Sequence, residues 1–227
     1  MKDVHDWWQR PRRVAVLVDN PSWILPYAER LVSLLEANGD RARLCRSHDE
    51  LEGDVAFYLG CIRITPRAVR ERMRRNLVVH ASDLPKGRGF SPWTWQILEG
   101  KNEIPICLLE AVDEVDAGPV IYRDRIRFAG HELIDELRAA IGQATIDLCQ
   151  RFMMEAVPLE GTPQRGEATI YRRRRPDDSR LDPNLSLAQQ FDLLRTVDNN
   201  RYPAFFELRG HRYIVKIEKQ GLIGGRP

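Results

Sequence analysis

Short apolar runs alternate with amphipathic segments along the first eighty residues of the chain. The run Val14–Val18 is rich in β-branched residues and contains no polar position, which is typical of a strand buried on both faces of a parallel sheet. Residues 25–38 carry apolar side chains three and four positions apart and end at Asn38-Gly39, which predicts a helix. Further elements are predicted in the order strand 42–45, strand 55–59, helix 66–74 and strand 77–79. This alternation favours an α/β fold with a doubly wound, Rossmann-like, mostly parallel sheet.

The pattern continues to about residue 155 and then changes. A helix is predicted over 93–99, strands over 104–109 and 120–128, and a long amphipathic helix over 131–155. The segment from Pro158 to Gly166 is rich in Pro and Gly, which marks a linker. Beyond it we expect a strand over 169–173, a helix over 186–197 with Ser186 and Gln189 as a capping box, and a hairpin of 204–208 with 213–218. The chain therefore divides into a Rossmann-like domain, 1–157, and a small α+β C-terminal extension, 158–227, whose tail is expected to fray from Gly221.

Composition narrows the class of protein. The 227 residues are 43% hydrophobic and 30% charged, as expected of a soluble globular protein. The net charge of +2 argues against nucleic-acid binding by the chain as a whole. Residues 156–227 carry 13 basic against 9 acidic side chains, which suits either an anionic partner or a solvated surface.

The sequence also bears on compartment and metals. No apolar run is long enough to span a membrane, and the first residues lack the apolar core of a signal peptide, so we expect a cytoplasmic protein. The chain has four cysteines, Cys45, Cys61, Cys107 and Cys149, with no C-x-x-C spacing, and three of the four lie in or beside apolar runs. This usage indicates a reducing compartment and no metal site.

The segment His80–Gly118 concentrates the residues that could carry chemistry. His80 ends the strand 77–79, and Asp116 follows the strand 104–109. Open α/β sheets bind ligands at the carboxyl ends of their strands, where these two side chains could meet. A His carries protons near neutral pH, and an adjacent Asp can orient it and stabilise its charged form. Taken singly, His80 could be a loop or core histidine and Asp116 a turn residue before Gly118.

Several spacings in this segment resemble the folate-dependent N-formyltransferases, which include methionyl-tRNA formyltransferase and the sugar N-formyltransferases. The matching residues are His80, Ser82, Leu84-Pro85, Arg88-Gly89, Pro92, Trp95, Asp116 and Gly118. The resemblance implies that His80 and Asp116 are catalytic. The family carries an Asn two residues before its His, whereas this chain has Val78 there. Asn76 lies on the same strand face but about 13 Å away, so we expect a backbone N–H, a water or another polar side chain to take that role.

The resemblance also implies N10-formyltetrahydrofolate as the co-substrate. The residues expected to hold it follow the third strand and precede Asp116: Leu59, Gly60, Ile62, Ile64, Leu109, Asp113 and Val115. An ordinary strand-to-helix connection is the alternative for residues 59–66.

Residues 191–206 resemble the corresponding region of the sugar N-formyltransferases, which helps to hold a nucleotide-linked sugar. Asn199 can bond hydroxyls, Arg201 can meet a diphosphate, and Tyr202 can stack on a base. The residues expected to bind substrate are Ser82, Lys86, Arg88, Asn199, Arg201 and Tyr202. A helix cap and hairpin core is the alternative for 191–206, and simple solvent exposure is the alternative for Lys86 and Arg88.

These expectations lead to one function and two alternatives. The chain is expected to formylate the amino group of a nucleotide-linked amino sugar, of the pseudaminic-acid type, for surface glycan biosynthesis. The run Arg172–Arg175 could instead indicate nucleic-acid contact, but the C-terminal extension is smaller than the tRNA-binding domain of methionyl-tRNA formyltransferase. The alternatives are another amine acceptor, such as an aminoacyl group, or a folate-binding homologue without catalysis, which Val78 favours. The apolar pairs Trp7-Trp8 and Phe205-Phe206 leave a homodimer open.

Overall fold

The computed structural model describes residues 6–221, and its centre is a six-stranded sheet in the order β2-β1-β3-β4-β6-β7. The ten strands are β1 (Arg13–Leu17), β2 (Arg41–Cys45), β3 (Gly53–Tyr58), β4 (Met73–His80), β5 (Arg88–Gly89), β6 (Glu103–Glu110), β7 (Val120–Arg127), β8 (Ile170–Tyr171), β9 (Ala204–Leu208) and β10 (His211–Val215). The five α-helices are α1 (Leu25–Ala37), α2 (Arg67–Arg70), α3 (Pro92–Leu98), α4 (Ile134–Met153) and α5 (Phe191–Thr196). The predicted tail from Gly221 concerns mainly residues 222–227, which lie outside this range.

Both faces of the sheet are covered, which confirms the doubly wound α/β fold. On one face, α1 and α4 pack on alternate residues of the strands, among them Val16, Phe57 and Leu108. On the other face a smaller cluster includes Leu17, Tyr58 and Met73. Because β1 contributes to both clusters, its sequence has no polar alternation.

Strands β1 to β4 are parallel, whereas β6 and β7 are antiparallel to their neighbours. Leu77 on β4 pairs with Glu110 on β6, so the carboxyl end of β6 lies three residues short of His80. The sequence had suggested that His80 and Asp116 meet because β4 and β6 end at the same edge of the sheet. This expectation is wrong, because β6 runs antiparallel to β4. Asp116 reaches His80 because the loop 111–119 folds back.

The helix predicted over 66–74 is wrong beyond Arg70. Its second half extends β4, with Met73 paired to Gly53 and Arg75 paired to Val55. The Arg75 side chain is 8% exposed and forms ion pairs with Glu110 and Glu160. Ladder pairing and these two carboxylates outweigh the weak helical preference of a short arginine-rich segment.

The C-terminal extension packs around its own small core, which contains Leu181, Leu194 and Ala204. The capping box of Ser186 and Gln189 forms, but on a turn, and the helix begins only at Phe191. The hairpin is present as β9 and β10. The extension is also joined to the first domain, because β8 pairs with β5. The domain boundary at 157 stays a prediction.

The remaining expectations on packing are answered in part. Trp8 is buried and packs edge-to-face on Phe152 at 5.3 Å, and Phe205 is buried. The homodimer stays a prediction. Three of the four free cysteines, Cys45, Cys107 and Cys149, are buried. Across residues 6–221, none of the helices combines the length and apolar character needed to cross a bilayer.

Candidate active site

His80 is the last residue of β4, and its ring is held in one orientation. Its Nε2 lies 2.8 Å from the carbonyl oxygen of Gly87. Because a carbonyl oxygen can only accept, Nε2 carries the proton and donates it. The lone pair of neutral His80 therefore lies on Nδ1, which is 3.5 Å from Oδ1 of Asp116. The side chains of His80 and Asp116 are only 7% and 11% exposed.

The Gly87 carbonyl, which accepts the hydrogen bond from His80, lies in the loop 81–89, and the C-terminal extension holds this loop in place. The N–H of Gly87 donates to Thr169 Oγ1 at 2.8 Å, and the N–H of Arg88 donates to the Thr169 carbonyl at 2.9 Å. Gly89 has a φ of +94°, and a Cβ there would lie 2.5 Å from the Tyr171 carbonyl oxygen. Only glycine allows this close pairing of β5 with β8.

Asp116 is placed by an unusual backbone. Its φ of +52° lies in the left-handed region, which Asp tolerates better than most residues. Oδ2 accepts the N–H of Gly89 at 2.8 Å, and the Asp116 carbonyl accepts from Gln164 at 2.7 Å. A Cβ at Gly118 would lie 1.9 Å from the Glu110 carbonyl oxygen, so the return of this loop to β7 requires glycine.

The position of the family's Asn is apolar here. Val78 is partly buried between Tyr58 on β3 and Leu109 on β6. The side chain of Asn76 is already engaged, since it accepts from the Tyr58 hydroxyl at 2.6 Å and donates to the Arg70 carbonyl at 3.0 Å. The hydrogen bonds of the Asn76 side chain are therefore made to Tyr58 and Arg70 and not to His80.

His80 and Asp116 form part of the wall of a cavity of about 920 Å³. Eight further residues predicted to bind folate or acceptor line it: Leu59, Gly60, Ile62, Ile64, Leu109, Val115, Arg201 and Tyr202. The cavity is thus lined by residues of the Rossmann-like part of the chain and by residues of the C-terminal extension.

Five other predicted site residues are placed elsewhere. Ser82 is 1% exposed, and Lys86 is exposed outside the cavity. Arg88 is engaged by Glu114 and Gln164, and Asp113 forms an ion pair with Arg70. Asn199 bonds the backbone of Ile217 at 2.7 and 3.1 Å. The roles predicted for these five remain predictions.

The cavity wall includes three exposed apolar side chains. Ile62, Ile64 and Val115 line the cavity with 41%, 60% and 43% of their surface exposed. Exposed apolar groups that cluster in a cavity gain free energy when an apolar ligand covers them. This wall therefore offers an apolar contact surface to a ligand.

A hydrogen-bond network that sequence reasoning missed supports this wall. The Asp19 carboxylate accepts the N–H groups of Ile62 and Arg63 at 3.0 and 3.1 Å. His48 joins it, with Nε2 3.1 Å from Asp19 and Nδ1 2.9 Å from Thr65 Oγ1. Burial alone raises the pKa of Asp19, but these hydrogen bonds outweigh it, so the pKa lies below its usual value. One sign of this network was present in the sequence, namely the position of Asp19 directly after the buried run Val14–Val18.

Among the arginines of the cavity, sequence reasoning assigned only Arg201 to substrate binding. Arg138 on α4 and Arg173–Arg175 line the cavity together with Arg201. The arginine run itself was visible in the sequence, but its neighbours in space were not.

The fold and the site together define an open-sheet α/β protein with a His–Asp pair in the wall of its cavity. A family model described as Formyl transferase matches residues 28–151, more than half of the chain. The chain belongs to the formyl transferase family, whose formyl donor is formyl-tetrahydrofolate.

A curated relative supports this membership. Methionyl-tRNA formyltransferase from Sorangium cellulosum (strain So ce56) is 34% identical over 182 residues, which cover 77% of this chain. The match covers 58% of the relative, so the chain spans little more than half of its length.

Solved structures share the fold. Methionyl-tRNA formyltransferase from Clostridium thermocellum matches with a TM-score of 0.77 and 20% identity, covering 94% of this chain and 95% of that chain. HypX from Aquifex aeolicus, solved in complex with tetrahydrofolic acid, matches with a TM-score of 0.73 and 17% identity, covering 96% of this chain and 40% of that chain. Sugar N-formyltransferases are also among the similar structures. At these identities the likeness concerns the fold alone.

Proposed function

We propose that this chain transfers a formyl group from N10-formyltetrahydrofolate to the amino group of a nucleotide-linked amino sugar, of the type used in the pseudaminic-acid pathway for surface glycans. The observation that carries the proposal is the free Nδ1 of His80, 3.5 Å from Asp116 in the wall of a 920 Å³ cavity. A ring nitrogen that can accept a proton, with a carboxylate to balance the charge, is what attack by an amine requires.

The donor would lie against the apolar wall of the cavity. Ile62, Ile64 and Val115 offer the contact surface, and the Asp19 carboxylate holds the backbone N–H groups of Ile62 and Arg63. When bound, the folate supplies the formyl carbon on its N10 nitrogen. Leu59, Gly60 and Leu109 complete the lining on this side.

His80 would move the proton. The acceptor amine attacks the formyl carbon as the neutral base, and its new N–C bond leaves it with a proton to lose. Nδ1 of His80 takes this proton, and Asp116 stabilises the resulting imidazolium. The proton then goes to the folate nitrogen as its bond to the formyl carbon breaks. His80 ends neutral, with Nε2 still bound to Gly87.

Two observations bear on the acceptor. The arginines and Tyr202 in the cavity favour an anionic ligand with an aromatic base. The 34% identity to methionyl-tRNA formyltransferase favours an aminoacyl amine as the second candidate. The size of the C-terminal extension does not decide between them, because this chain aligns with 95% of the solved Clostridium thermocellum methionyl-tRNA formyltransferase chain.

Product mass tests the function directly. The purified chain is mixed with N10-formyltetrahydrofolate and, in separate reactions, with a panel of UDP-, dTDP- and GDP-linked amino sugars and with methionyl-tRNA. We expect a gain of one formyl group on a nucleotide-linked sugar. A gain on methionyl-tRNA alone would establish the second candidate. No gain on any acceptor, with tetrahydrofolate bound in calorimetry, would indicate a folate-binding homologue without catalysis.

A further inference from the structure

The cavity concentrates positive charge that the protein does not neutralise. Seven arginines line it: Arg63, Arg70, Arg138, Arg173, Arg174, Arg175 and Arg201. Within residues 6–221, only Arg70 and Arg138 of these form ion pairs with a carboxylate. The acidic side chains of the cavity wall already have partners: Glu110 pairs with Arg75, Glu114 with Arg88 and Asp198 with Arg138, and Asp116 accepts the Gly89 N–H. Because the whole chain carries a net charge of only +2, this local excess indicates an anionic ligand.

Three of these arginines are linked through two turns of the C-terminal extension and the helix α4. The Asp198 carboxylate accepts the backbone N–H of Arg201 at 3.0 Å and pairs with Arg138 at 2.9 Å. The next residue, Tyr202, accepts from the Ser179 hydroxyl at 3.4 Å. Beside Ser179, the Asp178 carbonyl accepts from Arg174 at 3.2 Å. A continuous series of contacts therefore connects Arg138, Arg201 and Arg174.

The donors of this group are not all satisfied. Among the described residues, the Nε–H groups of Arg138 and Arg174 are buried and have no acceptor. Burial lowers the pKa of the Arg174 guanidinium, while Asp178 acts in the opposite direction. A buried donor without an acceptor costs free energy, which an incoming anion recovers. Two such donors lie on guanidinium groups that line the same cavity, which suits a ligand with several anionic oxygens.

We propose that Arg138, Arg174 and Arg201 form a binding site for the diphosphate of a nucleoside diphosphate. The inference rests on the proposed function and identifies the side chains that would recognise the nucleotide part of the acceptor. Guanidinium groups bind phosphate oxygens through paired N–H donors, and three of them match the charge of a diphosphate. The ring of Tyr202, which is 54% exposed in the same cavity, is available for the base to stack on.

The arrangement favours a small diphosphate over a polynucleotide. The three arginines come from α4, from the segment after β8 and from the turn before β9, and all three line one cavity. A nucleic-acid surface instead places its cations along a stripe that follows the phosphate backbone.

Calorimetry on the full chain without folate tests the site. The probes are UDP, dTDP, GDP and inorganic pyrophosphate. We expect at least one nucleotide to bind, and pyrophosphate to compete with it. Arg174→Gln and Arg201→Gln should each weaken nucleotide binding by about tenfold or more, because each removes a charge-assisted hydrogen bond. The melting temperature of each variant is measured first, so that lost binding in a folded protein is attributable to the site.

Arg180→Gln is the matched control. Arg180 follows the same turn and carries the same charge, but its side chain pairs with Glu207 outside the cavity. We expect its nucleotide affinity to stay within about twofold of the parent chain, as for an exposed pair. If all three variants lose affinity alike, net charge explains the effect and the site is refuted.

The remaining outcomes separate this inference from the proposed reaction. Binding that is equal in Arg174→Gln, Arg201→Gln and the parent chain overturns the site, even if formyl transfer occurs. Arginine-dependent binding of UDP without formyl transfer supports the site and refutes the reaction. If none of the nucleotides binds, but tRNA binds and the arginine variants weaken it, the ligand is a polynucleotide and the proposal is wrong.

Discussion

The His80–Asp116 pair and the arginine group of Arg138, Arg174 and Arg201 line the same cavity but are held in different ways. The pair is buried, and its atoms are fixed by backbone groups of Gly87 and Gly89. The arginines are long side chains carried by turns and a helix face, and Arg201 is largely exposed. Proton transfer requires atoms placed within fractions of an ångström, whereas attraction between charges tolerates movement. The groups proposed to transfer the proton are therefore fixed by the backbone, whereas those proposed to bind the nucleotide lie at the ends of long side chains.

The largest expected effect separates the two regions. His80→Asn should lower turnover by about 10³-fold or more, because an amide cannot accept the proton of the amine. Nucleotide binding by calorimetry should remain within about twofold, since His80 does not belong to the arginine group. Turnover within tenfold of the parent chain would show that His80 is not the proton acceptor.

Crowding at Gly118 should have the next largest effect. Gly118→Ala places a Cβ 1.9 Å from the Glu110 carbonyl oxygen, so we expect the free energy of unfolding to fall by about 3 kcal/mol. Gly100→Ala is the control, because Gly100 has a φ of +82° but open space around it. That variant should cost about 1 kcal/mol, from backbone strain alone. Denaturant titration measures both, and equal losses would contradict the steric account.

Asp116→Asn tests the electrostatic half of the pair. Asn tolerates the left-handed backbone and can still accept the Gly89 N–H, so the fold should persist. Loss of the negative charge should lower turnover about a hundredfold, or roughly 2.7 kcal/mol. Asp83→Asn, an exposed position in the neighbouring loop, is the control. If both variants keep parental turnover, Asp116 does not stabilise the imidazolium.

The smallest effect concerns the support of the folate wall. Hydrogen bonds hold the pKa of Asp19 below 3.8, so its carboxylate stabilises the fold fully above that pH, and the stabilisation disappears as the pH falls through the lowered value. Asp19→Asn should therefore lower the free energy of unfolding by about 1–2 kcal/mol at pH 7. The difference from the parent chain should shrink below pH 4. A difference that is independent of pH would exclude the charge as its cause.

The sequence predicted the parallel half of the sheet well, because strands buried on both faces leave continuous apolar runs such as Val14–Val18. It could not predict the direction of β6, since an apolar run reads the same whether its neighbour is parallel or antiparallel. It also extended α2 too far, because nothing local reveals that Met73 and Arg75 pair with β3.

The same contrast applies to the candidate site. His80 and Asp116 were found because both lie in one segment with recognisable spacing, and the structure brings them within 3.5 Å. Arg138 was missed because an arginine beside Asp135 on a polar helix face is typical of a solvated surface. The Asp19–His48–Thr65 network was missed because its members come from three loops that only the fold brings together.

The pairing of β5 with β8 has a consequence for protein engineering. Thr169 and Tyr171 hold the loop that carries Gly87, and Gly87 in turn sets which nitrogen of His80 is free. The segment after residue 157 is therefore not an exchangeable specificity module. A chimaera that takes this segment from a relative inherits a new acceptor surface and also a new anchor for the imidazole. Grafts that begin after Tyr171 keep the contacts that orient His80, whereas grafts that begin at the linker replace them.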